Sequence, residues 1–293
     1  MKNMKKLFYI AMTTLIVGVS SCTDSLDLIP DYELNEKNAV TDEISARAAV
    51  NGIYPFITQG SNFSGTVYGQ LASKSGFVDW SSGDYDMTTT QSNNTPSVEY
   101  MWLGYYETIN AANFAIDAIS KLNATQISEE EQIALIAEAR MLRGFSHAYA
   151  FWLFGHWWNA DDSDVDGILY RDELASVSNL QIARLTVGES YEKIFEDLDY
   201  AIENLPNFTT NRKVSKEYAK AFKAKMLLYR YGFDNATGNE GLVEALGLVN
   251  EVLNTSVSGF SMQGDLAQVY EDSWDSQENL FSGYLEGDGG YEL

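Results

Sequence analysis

The stretch Ala137 to Trp158, Ala-Glu-Ala-Arg-Met-Leu-Arg-Gly-Phe-Ser-His-Ala-Tyr-Ala-Phe-Trp-Leu-Phe-Gly-His-Trp-Trp, constrains the fold more than any other part of the chain. Read at helical spacing, Ala134, Ala137, Met141, Phe145, Ala148 and Trp152 form one apolar stripe, and Leu135, Leu142, Tyr149 and Leu153 a second beside it. A helix apolar over so much of its circumference must be wrapped by others. Arg140 and Arg143 interrupt the pattern with Ile136 and Ala139 four residues earlier, so neither finds a carboxylate there. Their partners are expected on neighbouring helices.

The rest of the chain supplies those helices. Thr41 or Asp42 can cap a first helix to about Ile57, with Ile44, Ala48, Ile53 and Ile57 inward; Gly52 and Pro55 weaken its end. Ser97 or Glu99 opens a second to about Leu122, carrying Trp102, Tyr105, Ile109, Ala112, Phe114 and Ile116. Ser128 to Glu131 and Thr186 to Glu189 both read as capping boxes, the first starting the central helix and the second a helix that stops at Leu205-Pro206. Further helices are expected from Ser215 to Tyr231 and from Gly241 to Leu253. Ala139-Arg140-Met141-Leu142 recurs as Ala224-Lys225-Met226-Leu227, each on an alanine-rich helix. Small residues where helices cross closely mark stacked hairpins of the tetratricopeptide type. The expected fold is therefore mainly all-α: stacked tetratricopeptide-like hairpins with long irregular loops.

The N-terminus carries an address. Lys2, Lys5 and Lys6 precede an apolar run, Leu7 to Val19, of signal-peptide length, and Ser20-Ser21 leads directly to Cys22. Cys22 is the chain's single cysteine, so no intramolecular disulfide explains it. A thiol directly after a small-residue cleavage site is what a bacterial lipoprotein needs for lipidation, the alternative being an incidental cysteine behind an ordinary leader. The expected organisation is a leader over 1–21, a polar tether over 22–40, and a helical domain over 41–293. Anchoring without spanning follows, since no later run approaches membrane-crossing length.

Charge narrows the partners. Asp+Glu number 42 against 19 Lys+Arg, for a net charge of −23, and loss of the leader removes three lysines more. Such a surface repels phosphate backbones and anionic headgroups, which argues against nucleic acid. No G-x-S-x-G, G-x-G-x-x-G or phosphate loop occurs. His147 and His156 are the two histidines, one inside the central helix and one at its end, too few for a histidine-built metal cluster. Asp162-Ser-Asp164-Val-Asp166-Gly167, followed by Glu173, fits the calcium-loop pattern, with Asp162, Asp164, Asp166 and Glu173 as candidate ligands, though the flanking helices are not placed as an EF-hand needs. A solvated acidic loop is the competing reading; no cofactor is required, and calcium is the one ion the pattern suits.

Several pieces, taken together in order, are similar to the SusD/RagB family of Bacteroidetes nutrient-uptake lipoproteins. They are Cys22-Thr23-Asp24 with Leu26-Asp27; Trp102, Tyr105, Ile109 and Asn113; Ala137 to Arg143 running into Tyr149 and Leu153-Phe154-Gly155; Arg184-x-Thr186 with Tyr191, Ile194, Asp197-Leu198, Ala201-Ile202 and Leu205-Pro206; Ala221 to Leu228; and Glu278-Asn279-Leu280-Phe281. The chain departs from that pattern at His156-Trp157-Trp158-Asn159 and its acidic insert, where the family usually has a small or acidic residue, Val and Pro. It also stops early, resembling a truncated member whose ligand surface and transporter contact would be partly missing.

The resemblance implies a lipoprotein facing the exterior on the outer membrane, anchored through Cys22. It would capture oligo- or polysaccharide and pass it to a SusC-like TonB-dependent transporter, with no chemistry of its own. Sugar binding needs aromatic faces for the C–H patches of pyranose rings, with amides and carboxylates for the hydroxyls. The long Gly60 to Thr95 segment supplies Trp80 and Tyr85 with Asp79, Asp84, Asn93 and Asn94, placed by position in a region from which the family partly draws its ligand residues. Trp157 and Trp158 either stack on sugar or plug the base of their loop. Two other classes remain open: a helical-repeat adaptor that binds protein alone, and a glycoside hydrolase built on one carboxylate pair.

Overall fold

The structure, a computed structural model, describes residues 38–58, 96–232 and 240–282. From Val40 onward the chain forms one compact unit, and among the described residues it contains helices and no strand. Helix α1 (Glu43–Asn51) is followed by the single turn α2 (Tyr54–Thr58), then α3 (Pro96–Ser120), α4 (Glu129–Phe154), α5 (Val187–Asn204), α6 (Lys216–Tyr231), α7 (Glu240–Leu253) and short α8 (Leu266–Asp272). From α3 to α7 each helix packs on its successor. That is the stacked-hairpin architecture expected from the sequence.

Local chemistry sets the ends. Asp42 Oδ1 accepts from Ser45 N at 2.8 Å while Ser45 Oγ takes the Asp42 N–H at 3.0 Å, so serine closes a capping box usually completed by glutamate. Thr186 and Glu189 close the expected box before α5, at 3.2 and 2.8 Å. Before α4 only half a box forms: Ser128 Oγ accepts from Glu131 N at 3.2 Å, but the Glu131 carboxylate turns to Arg47 on α1. A full positive charge outcompetes a neutral backbone N–H for that carboxylate.

The first helix differs from expectation. It ends at Asn51, with Gly52 as its C-cap, and Ile44 is 81% exposed while Ala48 also faces out. The buried residues are Ala46, Val50, Ile53, Tyr54 and Ile57. Ala46, Val50, Ile53 and Ile57 follow an i, i+4, i+7, i+11 register, which survives the break because α2 resumes on the same face. Ile44 and Ala48 lie outside that register. The other boundaries agree with the expected ones to within a few residues, as helix ends ordinarily do.

Helix α4 is central, as its sequence requires. Every residue from Ala137 to Ala148 except the half-buried Arg140 is buried, including Glu138, Arg143, Ser146 and His147. Gly144 lets α5 approach: a Cβ there would stand 3.1 Å from Asp197 Cβ. The recurring quartet holds equivalent places on α4 and α6, with Ala139, Met141 and Leu142 buried like Ala224, Met226 and Leu227. After α8 the chain returns to the core, where Phe281 packs 4.9 Å from the Tyr218 ring and 6.1 Å from that of Tyr54. No described helix is long and apolar enough to cross a membrane.

Candidate functional site

Three features surround the C-terminal half of α4: a buried ionic node, the long loop from Gly155 to Thr186, and an aromatic surface shared with α6. In the node, Arg143 donates from Nε to Asp197 Oδ2 at 2.8 Å and from Nη2 to Oδ1 at 2.7 Å. Arg140 Nε adds a bond to Oδ1 at 2.7 Å, and Tyr170 O–H one to Oδ2 at 2.7 Å. The arginines thus find their partner on the neighbouring helix α5. Burial pushes the Asp197 carboxyl up, but the two guanidiniums and the phenol outweigh it and hold the pKa below the usual range. A carboxylate with both oxygens so occupied has no capacity left to act as a base. The node is scaffolding.

It also clamps the loop. Arg143 Nη1 donates to Asn113 Oδ1 at 2.8 Å, and Asn113 Nδ2 donates to the carbonyls of Arg171 and Glu173 at 3.1 and 2.9 Å. His147, fully buried, bonds through Nδ1 to the Arg143 carbonyl at 3.1 Å and through Nε2 to Arg171 N at 3.1 Å, with its ring stacked 4.0 Å from that of Tyr170. A carbonyl on one side and an N–H on the other require the neutral tautomer protonated at Nδ1. Desolvation drives its pKa down to about 3, with Asp197 opposing. His147 is thus a packed, hydrogen-bonded helix residue.

Of the four calcium-loop candidates the structure gathers two, Asp164 and Asp166. Asp164 is the hub of the acidic loop: Oδ1 accepts from Asp166 N at 2.8 Å, and Oδ2 from His156 Nδ1 at 3.0 Å and from Asn159 Nδ2 at 2.5 Å. These bonds, the backbone one foremost, hold its pKa down to about 2. Asp166 Oδ2 lies 3.7 Å from His156 Nδ1, so Asp164 and Asp166 gather with a histidine. Asp162 instead pairs with Arg230 on α6, and Glu173 faces Asn179 at 3.5 Å. The loop is pulled two ways. Its first half is hooked to the start of α5 by Val187 N and Gly188 N, at 2.8 and 3.0 Å, and its second half to Asn113. Gly167 is explained by the same packing, since any side chain there would collide with Ser190 and the Leu185 and Thr186 carbonyls.

Beside this loop lies a surface of aromatic rings. Trp157 stands edge-on to Tyr229 at 5.2 Å and to Trp158 at 5.9 Å, His156 lies 5.1 Å from Trp158, and Trp152 lies 5.0 Å from Tyr229. Lys225 Nζ sits over the rings of Trp152 and Tyr229, at 5.1 and 5.9 Å. On its other side Lys225 borders an apolar groove of about 640 Å³ between α6, α7 and the returning chain, walled by Leu228, Leu246, Val249 and Met262. The sequence offered Trp157 and Trp158 but not Tyr229 or Lys225, which helix pairing alone brings to them. Asp197 was legible in retrospect: an acid on the face of Ile194, Leu198 and Ala201 must meet a cation.

Cys22, Asp79, Trp80, Asp84, Tyr85, Asn93 and Asn94 lie outside the described residues.

The fold and its saturated core define a helical-repeat scaffold. Residues 24–228 match the family described as starch-binding associating with outer membrane, and the chain belongs to this SusD-like family. A SusD-like protein of Bacteroides ovatus is 26% identical over 82% of this chain and 42% of its own length. A SusD-like carbohydrate binding protein of Bacteroides vulgatus superposes with a TM-score of 0.66 at 17% identity, over 85% of this chain and 52% of the other. A structure determined with xylogluco-oligosaccharide superposes with a TM-score of 0.53 at 20% identity, over 84% and 44%. The chain therefore spans about half the length of the relatives it matches.

Proposed function

We propose that this protein is a surface glycan-binding lipoprotein of the outer membrane, held by lipid on Cys22, which captures oligo- or polysaccharide and passes it to a SusC-like TonB-dependent transporter without chemistry of its own. The observation that carries the reading is the family match over residues 24–228. A related fold holding a xylogluco-oligosaccharide supports it. So does the division of labour among the described residues, where Asp197, Arg143 and His147 are spent on one another inside the helical stack. In this reading the scaffold is rigid and capture falls to its loops, with Trp80 and Tyr85 as stacking faces and Asp79, Asp84, Asn93 and Asn94 as hydroxyl partners.

Retardation on native gels cast with starch or xyloglucan tests it. The protein from Thr23 onward is expected to be slowed, and Trp80→Ala with Tyr85→Ala to reduce the retardation. Unimpeded migration through both polymers, together with capture of protein partners only, would favour an adaptor instead.

A further inference from the structure

The aromatic surface at the end of α4 has the chemistry of a carbohydrate site. Trp158 is 52% exposed and Tyr229 38%, so both rings present surface to solvent. The rings are held in place from behind. Tyr191 O–H donates to the Trp157 carbonyl at 2.8 Å, and Arg230 Nη1 to the Asn159 carbonyl at 2.8 Å, so α5 and α6 fix the turn that presents Trp158. A surface ordered before binding gives up little entropy on binding.

The two ends of the row are polar in complementary ways. At one end stand the His156 imidazole and the Asp166 carboxylate, both partly exposed. At the other stands Lys225, which occupies on α6 the place that Arg140 holds on α4. Arg140 finds Asp197, but among the described residues no carboxylate comes within ion-pair distance of Lys225, although the chain's net charge is −23. Its ammonium rests on ring faces instead, and burial lowers its pKa. Such a cation gains from a new acceptor. Flat apolar faces flanked by separate donors and acceptors suit a pyranose chain, which offers C–H faces and hydroxyls in alternation.

We propose that Trp158 and Tyr229, with Lys225 and His156 at the two ends, form a saccharide-binding surface on which pyranose rings stack. The inference rests on the glycan-binding reading above. Both rings are exposed, so their removal leaves the helical core intact.

The test is titration calorimetry and gel retardation with starch, xyloglucan and polygalacturonate, and with their oligosaccharides. Trp158→Ala is expected to weaken binding to the best of these about ten-fold, Trp158→Phe to retain most of it, and Lys225→Met to weaken it less. The Trp80→Ala, Tyr85→Ala protein should keep residual binding that disappears when Trp158→Ala and Tyr229→Ala are added. Unchanged binding by the Trp158→Ala, Tyr229→Ala protein, with loss on Trp80→Ala and Tyr85→Ala, overturns this surface and leaves the general reading intact. No binding of any of the three polymers by the unmodified protein contradicts both.

Discussion

Arg143 on α4 and Asp197 on α5 meet in a two-toothed salt bridge, 2.8 and 2.7 Å, in which the arginine side chain is 7% exposed and the aspartate not at all. Removing one partner leaves the other buried without compensation, which costs far more than the net worth of the pair. Asp197→Ala strands Arg143 and frees Arg140 and Tyr170, and is expected to lower stability by about 3–5 kcal/mol in urea unfolding. A loss under about 1 kcal/mol would mean that the node is not the clamp described.

His147 gives the stability a pH dependence of definite sign. Its pKa is about 3 in the folded protein, against about 6.5 for an unperturbed histidine. Between those values the unfolded chain binds a proton that the folded chain does not. The His147 contribution is fully present above about pH 6.5 and is lost as pH falls toward 3, at about 1.4 kcal/mol per pH unit. Asp197, whose pKa is also lowered, loses its contribution in the same direction on further acidification. Unfolding between pH 7 and 4 should therefore show a slope that His147→Gln removes in part. Parallel curves for the two proteins would contradict this.

Gly144 marks the closest approach of α4 and α5. A Cβ there would already be 3.1 Å from Asp197 Cβ, an atom held by the bonds to both arginines. Gly144→Leu is expected to cost about 1–3 kcal/mol through overpacking despite the better helix propensity of leucine. Thermal unfolding at or above the parent temperature would show that the interface yields.

Much of the helical frame is readable from residue spacing, because periodicity and caps are local. The need of Arg140 and Arg143 for partners on another helix follows from what precedes them by four residues, and Asp197 answers it. What spacing does not reveal is competition between local and distant partners. Glu131 abandons its capping box for Arg47, and Asp162 leaves the calcium pattern for Arg230. Ile44 was misplaced for a different reason: the stripe through Ile53 and Ile57 continues backward through Val50 and Ala46, and alanine is a weak marker of an inner face. The aromatic surface was half legible, since Trp157 and Trp158 are adjacent in sequence while Tyr229 and Lys225 come from another repeat.

The membrane assignment is tested by Cys22→Ala. In membrane and soluble fractions of a bacterium that lipidates exported cysteines, the parent protein should sediment with the outer membrane and the variant should be soluble. A variant that still sediments and resists salt washing would rule out the thiol as the anchor.

The central claim is capture without cleavage. Calorimetric titration of the protein from Thr23 onward with starch, xyloglucan and polygalacturonate, with reducing ends assayed in the same cell, tests it most directly. The account predicts saturable binding to at least one polymer and no growth of reducing ends. Growth of reducing ends would make the protein a hydrolase, and the absence of binding to all three would contradict the glycan reading.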